Sequence, residues 1–349
     1  MPVKRYDGTN WVVVAGDGAA GAPGTNGTNG SSGAGVNKIL NSDFNIWQRG
    51  TSFNLSSSGF TADRFQAIFD GSGSTRTYSR QAFTPGTAPV AGYEGSHFWR
   101  LAQTVAGTGG SFSVVAQLIE NVRTFAGQTI TFSFWAKADA SRSITANVIQ
   151  NFGSGGSSEI FAGSFTPTVS TSWVRYSGTI TMPSISGKTI GTNSFVKVEL
   201  SFPVNTAMTI DTWGWQVEAG STATTFQTAT GTLTGELAAC QRYYAKTYTV
   251  SQAPATVTAD GVLTLKSGNT DSFQHFASWR FPVEMRGTPT VTLYSPNTGA
   301  SGKIYIGTSD VNATSSGYIG LTGTSPYVNN VSVGASTLLT VHVVAEAEL

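Results

Sequence analysis

Glycoside hydrolysis needs two carboxyl groups facing each other across a sugar, about 5 to 9.5 Å apart. The acidic residues Asp63, Asp70, Glu94, Glu120, Asp139, Glu159, Glu199, Asp211 and Glu218 are scattered along the sequence, and no spacing pairs any two of them. The long internal repeat of a parallel β-helix is also missing, so the chain is expected not to be an enzyme. His97, His275 and His342 show neither metal-ligand spacing nor a G-x-S-x-G partner. Gly187-Lys188-Thr189 ends like a phosphate-binding loop, but Met182 stands where the first glycine is required, and the segment reads as a turn between strands. The one cysteine, Cys240, has no disulfide partner and reads as buried and inert.

Non-covalent sugar binding asks for something different: an exposed aromatic face with amides or carboxylates beside it. Trp47, Trp135, Trp173, Trp213 and Trp215 lie in strand-like stretches and are expected in the core. The loop tyrosines are the better candidates. These are Tyr78 and Tyr93 in the first large module, and Tyr294, Tyr305, Tyr318 and Tyr327 among the Asn, Ser and Gly-rich loops near the C-terminus. In an oligomer the same rings could pack at an interface instead.

Period-two alternation dominates the elements that must position these side chains. Ile130, Phe132 and Phe134 alternate with Thr131 and Ser133, and Val196, Val198 and Leu200 alternate with Lys197 and Glu199. Strands of this kind separated by short turns predict an antiparallel sandwich over residues 36–229. Leu233, Leu237, Cys240, Tyr243 and Tyr244 fall near helical spacing, which predicts a short helical linker over 230–247, with Thr234 as a candidate start. Alternation resumes at Ala277, Trp279, Phe281 and Val283 and continues to Leu339, Val341 and Val343, predicting a second, smaller sandwich over 248–349.

Before these modules lie two small elements. Asp7-Gly8-Thr9-Asn10 is turn chemistry between β-prone runs, so residues 1–16 are expected to form a hairpin. Gly18, Gly21, Gly24, Gly27, Gly30 and Gly33 then recur every third residue, the period of a collagen triple helix, where only glycine fits at the axis. A Gly, Ala, Thr and Asn linker has a similar composition, and Pro23 is the only proline of the segment. The unbroken phase over six triplets favours a trimeric stalk over residues 17–35, clamped by its flanking domains.

The totals narrow the partners. The chain has 349 residues, enough for two ordinary domains, with 11% charged residues and a net charge of +1. No basic run extends beyond Lys4-Arg5, so nucleic acid is not an expected partner. The longest early apolar run, Trp11 to Ala15, is too short for a signal peptide or a membrane span, which predicts folding in a cytoplasm and no membrane insertion.

Several stretches resemble bacteriophage tail-fibre and related virion proteins. Asn37-Lys38-Ile39-Leu40-Asn41-Ser42-Asp43-Phe44-Asn45-Ile46-Trp47-Gln48-Arg49-Gly50 and Thr61-Ala62-Asp63-Arg64-Phe65 look like the opening of a jelly-roll module. Phe132 to Ala138, Trp173 to Tyr176 and Trp215 to Ser221 continue it in order. The module is similar to carbohydrate-binding jelly rolls attached to polysaccharide-degrading enzymes. Glu236 to Tyr244, Phe281 to Pro289 and Tyr6 to Trp11 resemble the helix, a terminal-domain strand-turn and the N-terminal hairpin of phage fibres. The resemblance implies an all-β homotrimer made in the host cytoplasm and assembled into the virion. Its N-terminus (Tyr6, Asp7, Gly8, Trp11) would dock on a tail or baseplate protein, and its sandwiches would face a bacterial surface glycan or outer-membrane receptor. It also implies a structural Ca²⁺, for which Asp43, Asp211 and Glu218 lie in the matching regions. A purely structural virion part and a glycan-cleaving spike are the alternatives.

Overall fold

A computed structural model describes residues 3–15, 36–268, 274–276, 278–312, 315–328 and 333–349. The stalk positions Gly18, Gly21, Gly24, Gly27, Gly30 and Gly33 lie outside the described residues. Residues 1–33 and 34–349 form separate units.

In the first unit, Val3–Tyr6 (β1) pairs antiparallel with Trp11–Ala15 (β2). Asp7 closes the turn, its Oδ1 accepting from the Thr9 and Asn10 amides at 2.9 and 2.8 Å, and these bonds hold its carboxyl below the usual range. The Tyr6 and Trp11 rings meet at 5.4 Å and both are exposed.

Among the described residues of the second unit, every regular element but one helix is a strand. Its first half contains Ser52–Asn54 (β3), Gly59–Phe60 (β4), Gln66–Phe69 (β5), Thr75–Ala82 (β6), His97–Val105 (β7), Ser113–Glu120 (β8) and Thr129–Ala138 (β9). Arg142–Ser143 (β10), Thr145–Asn151 (β11), Ile160–Phe165 (β12), Thr168–Val169 (β13), Val174–Thr181 (β14), Phe195–Ser201 (β15) and Met208–Ala219 (β16) follow. One six-stranded sheet has the order β12-β11-β15-β8-β5-β4, the other β14-β9-β16-β7-β6-β3, and β10 and β13 form a short separate pair. Every pairing is antiparallel. The core between the sheets takes one face of each strand: Val196, Val198 and Leu200 from β15, Phe132 and Phe134 from β9, Trp99 and Leu101 from β7. Full burial of such a side chain is worth about 1.5–3 kcal/mol.

A bulge in β16 separates two tryptophans that strict alternation would place on one face. Pairing with β9 shifts register between Trp213 and Gln216, and Gly214 adopts φ +64°. Trp215 thereby enters the inter-sheet core against Phe65 and Phe132. Trp213 turns the other way, meeting Trp135, Tyr93 and Phe226 under the segments that cover that face.

Helix α1, Leu233–Gln241, follows. Its N-cap is Thr232 rather than Thr234, the hydroxyl accepting from the Gly235 amide at 3.1 Å. Buried Glu236 accepts from the Asn41 and Thr230 amides, both at 2.7 Å, tying the helix to the start of the jelly roll; burial raises its pKa. The helix stops at Arg242 because the chain enters a strand, Tyr244–Lys246 (β17), within the stretch expected to be linker.

The remaining strands are Leu263–Lys266 (β18), Gln274–His275 (β19), Trp279–Arg280 (β20), Thr290–Tyr294 (β21), Lys303–Tyr305 (β22), Asp310–Asn312 (β23), Ser315–Gly317 (β24), Gly323–Val328 (β25) and Leu338–Glu346 (β26). Strand β26 is the hub, pairing with β17, β18, β21 and β22, while β25 pairs with β19, β20 and β24. Leu293, Ile304, Leu339, Val341 and Val343 form the core beneath it.

The two halves are fastened by two arginines, Arg64 buried and Arg49 nearly so. Arg64 lies 3.4 Å over the Tyr243 ring and Arg49 3.7 Å over Tyr244, while Glu348 accepts from both guanidiniums and Glu346 from Arg49. Beside them, buried Lys246 donates to the carbonyls of Gln48, Val250 and Gln252.

Two predictions follow from this packing. A Cβ on Gly214 would sit 2.7 Å from the Trp135 ring at a φ that L residues avoid. Gly214→Ala should therefore cost about 2 kcal/mol or more in urea denaturation, with loss of the near-ultraviolet tryptophan signal. Burial lowers the Lys246 pKa from 10.5 to about 8, so between those values the unfolded chain binds more protons and stability should climb with pH. Lys246→Met should abolish that alkaline climb in denaturation curves taken from pH 7.5 to 10.5.

Candidate functional site

The sheet β12-β11-β15-β8-β5-β4 turns one face to the core, and register fixes what the other presents. Because Val196, Val198 and Leu200 point inward, Lys197 and Glu199 point outward. Directly paired residues share a face, so one outward row runs Phe161–Ile149–Lys197–Leu118. The next runs Ser164–Asn147–Glu199–Ala116–Gln66 across five strands. At a strand spacing of ~4.8 Å this row spans roughly 19 Å, room for several sugar rings.

The face has an apolar floor and a polar centre. Ile149, Ala116 and Val114 are buried yet lie outside the inter-sheet core cluster. Glu199 Oε1 accepts from Asn147 Nδ2 at 3.0 Å, and its Oε2 lies 3.1 Å from Lys197 Nζ. An amide, a carboxylate and an ammonium are thus fixed side by side, a set of donors and acceptors suited to vicinal hydroxyls. At the β12 edge Phe161 is 60% exposed, with no aromatic partner among the described residues. The opposite end of its row, at Leu118, borders a cavity of about 260 Å³ lined also by Lys38, Arg64 and Tyr243.

The candidate tyrosines do not converge. Tyr78 is a correction: it lies in β6 rather than on a loop, 1% exposed between Phe69 and Trp99, so its ring cannot meet a sugar. Tyr93 is half-buried on Trp213 and Phe226, its hydroxyl donating to Asp43 at 2.9 Å; burial pushes its pKa up. Tyr294 is in β21 against Tyr248, and Tyr305 in β22 donates to the Gly307 carbonyl. Tyr318 is 79% exposed, and Tyr327 lies in β25; both approach His275.

The three carboxylates considered for Ca²⁺ do not form one site. Asp211 is held by Arg100 through bonds of 2.6 and 2.8 Å and by Lys137 at 3.5 Å. Glu218 accepts from Thr224 and Gln216, and Asp43 from Tyr93 and Asn45. The buried second oxygen of Asp43 has no partner among the described residues, and burial raises this carboxyl's pKa. Among the described residues no group of three or more His, Cys, Asp or Glu could hold a metal ion.

The sequence alone does not single out Phe161, Asn147 or Gln66; Lys197 appears there as the polar half of an alternation, and Glu199 as that and as one of the scattered carboxylates. That alternation was the available signal; which sheet remains open depends on tertiary packing.

Residues 104–199 match the carbohydrate binding domain family CBM_4_9. The stretch includes Phe161, Ile149, Asn147, Lys197, Glu199, Ala116 and Leu118. A CBM4 structure is 19% identical, with 52% of this chain and 99% of that one covered and a TM-score of 0.32. The family 11 carbohydrate-binding module from Clostridium thermocellum, solved with a β-1,3-1,4-mixed-linked tetrasaccharide, is 10% identical over 50% and 99% of the two chains, TM-score 0.30. The enzymatically active domain of bacteriophage CBA120 tailspike protein 4 is 11% identical over 53% of this chain and 22% of that one, TM-score 0.31. No curated protein matches the chain. The chain thus carries a two-sheet antiparallel sandwich, of which residues 104–199 match a carbohydrate binding domain family.

If this face takes sugars, Phe161→Ala should weaken retardation of the protein in polysaccharide affinity gels about tenfold, as expected for loss of one stacking ring. Glu199→Gln, which removes the charge and keeps the shape, should weaken it less. Phe161→Ala should leave the thermal transition unchanged, since the ring is 60% exposed and outside the core.

Proposed function

We propose that this protein is a non-catalytic, glycan-binding component of a bacteriophage tail fibre, acting as a homotrimer in adsorption to the bacterial surface. The observation that carries the glycan reading is the coincidence of the carbohydrate-binding match at 104–199 with the open polar face and its exposed Phe161. The fibre reading is supported by the order of segments along the chain. A hairpin resembling virion anchors comes first, six Gly-X-Y triplets follow, and the jelly roll and the short helix come after them.

Each part has a physical role in that reading. The hairpin presents Tyr6 and Trp11 to a tail or baseplate protein. The stalk brings three copies of the jelly roll to one surface, where weak single-site binding is multiplied through effective concentration. Low charge suits a polar, largely neutral target and limits non-specific adhesion.

Two measurements test this. Sedimentation equilibrium of the full chain at micromolar concentration should give three times the monomer mass, and a chain lacking residues 17–35 should lose it; a monomer overturns the trimeric reading. Fluorescently tagged protein should adhere to phage-susceptible cells and not to resistant ones. Equal adherence to neither would leave a structural virion role, and release of reducing ends would make it a glycan-cleaving protein.

A further inference from the structure

A second constellation lies in the C-terminal half, remote in sequence from the jelly roll. Strand β20 pairs with β25 through Trp279 with Thr324 and Arg280 with Gly323. The approach is close: a Cβ on Gly323 would lie 2.6 Å from the Trp279 carbonyl oxygen. Beside this pair opens a cavity of about 220 Å³ lined by Ser278, Trp279, Arg280, Tyr318, Thr322 and Ser325.

Three features set this cavity apart. Arg280 is exposed and, like several other arginines, makes no ion pair among the described residues, so its guanidinium can meet an anion at the cavity. Tyr318 is 79% exposed and has φ +55°, a conformation uncommon for a bulky residue and held at an energetic cost. Its ring continues toward His275 at 6.2 Å and thence Tyr327 at 5.6 Å, an aromatic strip at the rim. The Ser278 and Ser325 hydroxyls, 2.6 Å apart, add donors and acceptors inside.

We infer that this cavity binds a saccharide bearing a carboxylate, with Tyr318 under the sugar ring and Arg280 on the acid group. The planar guanidinium matches a carboxylate in a bidentate fork, and the hydroxyls serve the ring oxygens. A neutral sugar would leave the cation unused, and a nucleic acid would call for a basic track that a single arginine does not make. This site is independent of the jelly-roll face and stands or falls separately.

The test uses the full chain and its Phe161→Ala variant in titration calorimetry. The ligands are oligogalacturonate, sialyllactose and the carboxyl-reduced form of each. At least one acidic ligand should bind both proteins equally, and its reduced form should bind at least tenfold more weakly. Arg280→Ala should lose that preference. Tyr318→Gly, which relaxes the backbone, should raise the melting temperature while losing the ligand, an outcome that a merely structural tyrosine would not give. Three results each overturn the inference: binding of neither acid, equal binding of acid and reduced forms, or unchanged binding by both variants.

Discussion

Two guanidiniums taken out of water determine how the 34–349 unit holds together. Burying an arginine is costly unless its charge is paired, and here the pairing groups come from different parts of the chain, with Arg49 Nη1 and Arg64 Nε left without a partner among the described residues. Tyr243 and Tyr244, just after the helix, supply the ring faces; Glu346 and Glu348, near the last residue, supply the anions. Arg49 and Arg64 come from the opening of the jelly roll. The early strands, the helix exit and the final strand are therefore mutually dependent. Glu236 repeats the arrangement with opposite sign, its carboxylate placed on amides from Asn41 and Thr230.

This fastening leaves the two jelly-roll sheets with unequal outer faces. Around Trp135 and Trp213 the outer face is covered by Tyr93 and Phe226, and further along it Asp211 is committed to Arg100 and Lys137. The opposite sheet keeps Phe161 exposed, with Lys197 and Asn147 half-buried beside it. The bulge at Gly214 is what allows one strand to serve both a core and a covered outer layer, since it sends two nearby tryptophans to opposite sides.

Alternation along β9 and β15 made the sandwich legible in the sequence, because a period of two has one physical meaning when one face is buried. The helix was legible from Leu233, Leu237 and Cys240, though its cap was misplaced by two residues, since Thr232 and Thr234 are chemically alike and only backbone geometry separates them. Tyr78 went wrong for a different reason. It stands among polar residues, Thr77 and Ser79, that look like loop but lie on the outer face of strand β6. The open face could not be located at all from one strand, because its row is assembled from five strands far apart in the chain and depends on register.

Asn37 adds one mechanical point. Its amide donates to the carbonyls of Trp215 and Gln227, while its own carbonyl group accepts from Ile39 and Val217, so the chain enters the jelly roll where it leaves. Tension applied between those two ends is first met by this short stitch, which ties the entry segment to β16 and to the exit at Gln227 instead of passing through every strand between them.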